Sequence, residues 1–121
     1  MLNIYPGEIG IINIEVDGEI DAAAMEVGLN KLVDMCEDMQ NGKLFYRITN
    51  FKMPTLAALG VEFMMMPKLF QLIGKVDKAA VLTDENWIAK ASIIEGALIP
   101  GLEIRPFELD EEAAALDFLR S

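Results

Sequence analysis

From Ile12 to Asp17 apolar and polar residues alternate, Ile12, Ile14 and Val16 against Asn13, Glu15 and Asp17. That is the period of a strand with one buried face. Leu2 to Tyr5 forms a short extended stretch before it, and Pro6-Gly7 reads as a turn, so the chain opens with a β-hairpin. Asp17-Gly18 breaks the second strand, and Asp21 is placed to cap a helix by accepting a backbone N–H. Met25, Leu29, Leu32, Cys36 and Met39 follow at alternating spacings of four and three. This puts them in one helical stripe, with Glu26, Asn30, Asp34 and Asp38 on the other side and Gly42 as the stop.

Leu44 to Thr49 is almost continuously apolar and β-prone, the pattern of an interior strand covered on both faces. Pro54 suits the first turn of a second helix, which runs through Leu56, Leu59, Phe63 and the triplet Met64-Met65-Met66. Pro67 kinks or ends it, with Lys68 to Ile73 as a continuation before Gly74. Ala79 to Leu82 is a short buried strand. Thr83 and Asp84 are caps for a third helix from Glu85 to Leu98, which buries Trp87, Ala91, Ile94 and Leu98. Leu102 to Phe107 is the last strand, and Pro106 places it at an edge. Asp110 caps a final helix through Ala113, Leu116 and Leu119.

The order is therefore β-β-α-β-α-β-α-β-α. Alternating strands and helices imply right-handed crossovers and a parallel sheet, which the opening hairpin makes mixed. The fold class is α/β with a mostly parallel sheet of about five strands, in one domain spanning residues 1–121.

The second helix stands apart from the others. Between Pro54 and Pro67 its one charged residue is Glu62, whereas an ordinary surface helix has a polar face. Either Met64, Met65 and Met66 are core filler, with Gly60 and the alanines permitting close packing, or the surface is covered by something outside the fold. The surface in question comprises Phe51, Met53, Leu56, Leu59, Phe63, Met64, Met65, Met66 and Phe70. Methionine suits an adaptable contact because its side chain is flexible and polarisable. The expected occupants are a second copy of the chain, a protein partner, or a lipid-like apolar ligand.

Charge narrows the partners. Twenty acidic residues against ten basic ones give a formal net charge of −10. Such a surface repels phosphate backbones and anionic headgroups, so nucleic acid is not an expected partner. Lys68, Lys75 and Lys78 lie close in sequence and form the one local exception, a possible anion site set against an ordinary solvated surface. No stretch reaches the roughly 18–20 apolar residues that span a bilayer, so no integral membrane association is expected. Cys36 has no partner for an intramolecular disulfide, and the first residues lack a basic, apolar signal pattern; the expected location is the cytoplasm.

The chain contains no histidine. That removes the commonest general base, every Ser-His-Asp or Cys-His arrangement and most transition-metal sites. No glycine-rich phosphate loop is present, and Cys36 falls in the apolar stripe of the first helix, where a thiol is inert. Glu37-Asp38 and the acids from Glu108 to Glu112 match no calcium loop and read as helix-end capping. No catalytic residues, metal site or cofactor are expected.

Four stretches together resemble the SpoIIAA-like (STAS) family: Val16-Asp17-Gly18 closing the hairpin, Leu44 to Thr49 before Asn50-Phe51, Ala80 to Trp87, and Ile104-Arg105-Pro106-Phe107 before an acidic helix start. The resemblance covers essentially the whole chain and rests on order and spacing. It implies a non-catalytic module acting by binding, with a topology similar to the lipid-carrier CRAL-TRIO fold. Anti-sigma-factor antagonists of the family carry a phosphorylatable serine, in an Asp-Ser-Ser-Gly-like stretch, at the start of the helix after the third strand. Here that stretch reads Asn50-Phe51-Lys52-Met53-Pro54-Thr55-Leu56. Neither the Asp nor the Ser is matched, which leaves Thr55 as the nearest hydroxyl and the one phosphosite to consider. The function expected is a regulatory binding module, homodimeric through the apolar helix, with carriage of an apolar ligand as the alternative.

Overall fold

The computed structural model describes residues 1–52, 55–65, 67–68, 71, 74–86, 88–89 and 101–121, with the side chains of 59 and 62 excepted. Strands β1 (Leu2–Pro6) and β2 (Ile11–Asp17) form the opening hairpin, followed by helix α1 (Ala22–Cys36) and strand β3 (Gly42–Thr49). Helix α2 (Leu56–Met64), strands β4 (Val76–Thr83) and β5 (Glu103–Phe107), and helix α3 (Glu112–Arg120) complete the described elements. Of the helix expected from Glu85 to Leu98, Asn86, Ile88 and Ala89 are described and helical, Glu85 precedes them, and Trp87 and residues 90–98 lie outside the described residues. Within 68–73, Lys68 and Gln71 are described, and both are helical.

The five strands lie side by side in the order β1-β2-β3-β4-β5. Only β1 runs antiparallel to its neighbour; β2, β3, β4 and β5 are parallel. The sheet is the mixed, mostly parallel one that the element order implies. Both of its edges carry a proline, Pro6 in β1 and Pro106 in β5. In β1, Asp17 N–H donates to Met1 O and Gly7 N–H to Ile11 O. Alternation along an antiparallel pair then turns the backbone of Leu2, Ile4 and Pro6 outward.

Strand alternation divides the core in two. Ile4, Ile12 and Ile14 meet Leu32 and Cys36 of α1, together with Val76. On the opposite face Ile11, Phe45, Ala80 and Leu82 meet Ala115, Phe118 and Leu119 of α3. A third cluster joins Ile20 and Met25 to Ala58, where α2 lies against α1. Gly28 is what lets α1 settle on β1, since a Cβ there would stand 2.3 Å from a Leu2 methyl carbon.

Asp21 caps α1 as expected, with Ala24 N–H donating to Oδ1 at 2.8 Å. Three other details differ from the sequence reading. Helix α1 ends at Cys36 rather than reaching Gly42: Glu37 N–H turns back to Asp34 O and Met39 N–H to Cys36 O. Asn41 adopts the left-handed conformation there, with φ 54°. Gly42 belongs to β3, in a spot where a Cβ would lie 2.9 Å from Met39 Sδ and 3.1 Å from Lys75 O. Asp110 does not cap α3. Glu111 precedes the helix, and its Oε1 reaches back to accept from Glu108 N–H at 2.8 Å. Finally, β3 is interior in the sheet but not covered throughout. Phe45 lies under α3, whereas Arg47 and its neighbours are half-buried.

Candidate functional site

The apolar helix singled out by the sequence is α2. Its start is fixed twice: Thr55 N–H donates to Ile20 O at 3.3 Å, and Thr55 Oγ1 accepts from Ala58 N–H at 3.1 Å. The second bond occupies the hydroxyl as a helix cap. The strand ends beside it are held by Asn50 Nδ2 donating to Asp17 Oδ1 at 3.1 Å and by Gly18 N–H donating to Thr49 O. Asn50 and Gly18 both sit at positive φ, 47° and 72°, which turns the chain sharply as it leaves β3 and β2.

One side of α2 faces inward through Ala58, fully buried, and half-buried Val61, and Met65 just past its end is 9% exposed. Met65 is therefore a core residue, a correction to its place in the expected surface: consecutive residues at a helical turn point about 100° apart, so Met65 turns inward where Met64 turns out. The other side is open. Leu56, Phe63 and Met64 are 88%, 77% and 81% exposed, Ala57 and Gly60 are exposed with them, and Phe51 is half-buried. Of the remaining residues expected on this surface, Met53, Met66 and Phe70 lie outside the described residues, as does the Leu59 side chain.

Leu56, Gly60 and Met64 are spaced by four, and Phe63 lies three past Gly60, so all four share one stripe. At Gly60 nothing among the described residues lies within 4 Å of where a Cβ would stand. Close packing inside the core was one of the two readings that the sequence left open for Gly60. The structure puts it on the outside, a role that composition could not separate from the other.

Several polar groups elsewhere are tied to one another. Lys78 turns to the end of α3, donating to Ser121 O at 2.6 Å and Ser121 Oγ at 2.8 Å. Lys68 and Lys75 instead line a cleft of about 230 Å³ with Asp34, Glu37, Val33 and Gln71, and Lys75 Nζ donates to Glu37 O. The three lysines thus do not converge on an anion site. Tyr5 O–H donates to Glu15 Oε1 at 2.6 Å, and that bond, with desolvation behind it, raises the phenol above its ordinary 10.0. Its shift runs away from neutral pH, where a general base would need to work. Arg47 pairs with Glu112 at 3.1 Å and lies over the Phe45 ring. Cys36 is fully buried, and burial lifts its thiol above the usual value while Lys75 pulls slightly the other way. No group of three metal-ligating side chains gathers among the described residues, nor is any helix there long and apolar enough to cross a membrane.

A family model described as SpoIIAA-like matches residues 11–120. The chain belongs to the SpoIIAA-like family. No curated protein matches it, but solved structures do. One is an uncharacterized protein with a SpoIIAA-like fold from Shewanella loihica PV-4, at a TM-score of 0.76 and 16% identity, covering 98% of this chain and 92% of that one. Another is the anti-sigma factor antagonist SpoIIAA in its unphosphorylated form, at a TM-score of 0.55 and 12% identity, covering 100% of this chain and 99% of that one. At those identities the structural likeness speaks for the SpoIIAA-like fold and not for a shared partner.

Proposed function

We propose that this SpoIIAA-like protein is a non-catalytic regulatory module that works by binding, as a homodimer, through the outer face of α2. The observation carrying this reading is the exposure of Leu56, Phe63 and Met64 on one helix of a chain with net charge −10. Water in contact with three large apolar side chains is costly, at roughly 25 cal/mol per Å², and scattered single residues would not add up as a contiguous stripe does. The regulatory part of the proposal is supported by family membership and by the fold shared with an anti-sigma factor antagonist. The phosphate switch is not part of the proposal, because the stretch Asn50 to Leu56 lacks the Asp and Ser of the family's phosphorylated motif. Side chains this exposed do not wall an enclosed cavity, which sets a surface contact ahead of ligand carriage.

Light scattering coupled to size exclusion tests the proposal directly. The expected result is a dimer that the double substitution Phe63→Glu and Met64→Glu converts to a monomer with an unchanged circular dichroism spectrum. A parent protein that is monomeric at every concentration would sink the homodimer. If native mass spectrometry of that monomer showed a reproducible added mass, the apolar-ligand reading would replace it.

A further inference from the structure

Most of the described glycines have an identifiable reason to be glycine; Gly74, in a turn, and Gly60, in the middle of α2, do not. Gly7, Gly28 and Gly42 each have a neighbour that a Cβ would strike, and Gly10, Gly18 and Gly101 sit at positive φ. Gly60 has neither reason. It is helical, exposed, and faces open space among the described residues. A mid-helix glycine lowers helix stability by about 1 kcal/mol relative to alanine, and nothing described within the chain requires it. A missing Cβ on an exposed helix is useful when another backbone has to come close.

Resting on the reading of α2 as the binding face, we infer that α2 crosses the α2 of a second copy at Gly60. The stripe is self-complementary: Gly60 is a hollow, and Leu56, Phe63 and Met64 are the projections on either side of it. A two-fold contact needs hollow and projection on the same surface. Ridges formed by residues four apart, as Leu56, Gly60 and Met64 are, interdigitate with their equals when helices cross at about −50°.

An uncharged contact is what a second copy of so acidic a chain requires. Two molecules at −10 repel each other, and that repulsion is least where a contact carries no charge. Leu56, Ala57, Gly60, Phe63 and Met64 are all uncharged. A basic partner would be drawn to carboxylates, which this stripe does not offer. The exposed area fits as well. Three large side chains at these exposures present on the order of 400–500 Å² per copy. That is about half of the roughly 800 Å² each partner buries in a standard interface, enough for its dry centre with a polar rim around it.

Two substitutions at Gly60 test the crossing. Gly60→Leu fills the hollow and should weaken dimerisation by about tenfold or more, as overpacking does, without lowering the melting temperature at concentrations where both proteins are monomeric. Gly60→Cys should form a disulfide-linked dimer under mild oxidation, because a crossing at this residue brings the two Cα atoms within disulfide range. Val27→Cys, on exposed α1, should stay unlinked. Undiminished dimerisation of Gly60→Leu, or an unlinked Gly60→Cys, overturns the crossing at Gly60. The Phe63→Glu variant then separates the two levels. Its dissociation into monomers would keep α2 as the interface with a different geometry, and an unchanged dimer would remove α2 altogether.

Discussion

Helices α1 and α2 lie against each other, and each carries a glycine near its middle, but for opposite reasons. Gly28 is buried against Leu2 and Ile4, so α1 has glycine because the sheet is close. Gly60 looks away from the fold. The outer faces differ in the same sense: α1 shows Glu26, Asn30, Lys31 and Asp34, whereas α2 shows Leu56, Gly60, Phe63 and Met64. One helix has found its neighbours within the chain, and the other has found them on one side only. Residue type alone therefore does not give a glycine's purpose; what stands over it does.

Stability measurements can break this contrast. Leu32→Ala, on the buried side of α1, should cost about 2–5 kcal/mol by urea denaturation. Leu56→Ala should stay within about 0.5 kcal/mol at concentrations below dimerisation, and a large loss there would mean that α2's outer face is packed after all. Next in size, Gly28→Ala should destabilise by about 1–3 kcal/mol, because its Cβ must displace Leu2. Gly60→Ala, measured the same way, should instead stabilise by up to about 1 kcal/mol. Matching signs for the two would erase the distinction drawn above. Removing the caps of the two helices, by Asp21→Ala and Thr55→Ala, should cost about 1 kcal/mol each.

The smallest effect is expected at alkaline pH. The Cys36 thiol is raised above its ordinary 9.0, chiefly by burial. The unfolded chain therefore loses this proton first, and the thiol's contribution to stability is complete below about 9 and lost as pH rises through the folded value. A plot of unfolding free energy against pH should fall on that limb, and Cys36→Ala should flatten it. An identical slope in the variant would show that the thiol titrates alike in both states.

Much of this was readable without coordinates. Alternation at Ile12, Ile14 and Val16 located β2, the spacing from Met25 to Cys36 located α1, and Pro106 marked an edge. The errors cluster where several residues compete for one local role. Met39 keeps the helical spacing, yet the chain turns back at Cys36, and Gly42 fits tightly against Met39 and Lys75 in β3 instead of ending the helix. Asp110 and Glu111 are both plausible caps by type, and only the backbone path shows which carboxylate reaches Glu108 N–H. At α2 the sequence showed that the helix was apolar nearly all round. Which methionine turns inward, Met65 and not Met64, depends on the roll of the helix against Ile20 and Met25, which pattern alone does not set.

The prolines at the two sheet edges have a consequence for the chain's fate at high concentration. A free strand edge is a template on which further copies can add indefinitely, toward fibres. Pro6 removes an outward donor from β1, and Pro106 leaves β5 one donor short beside an exposed Glu103–Arg105 ion pair. Growth by strand addition is poorly supported at both ends. A protein with just over half of its residues apolar is thus guarded against polymerising through its backbone, and the proposed two-fold contact would close on itself after one partner, keeping the products small and countable.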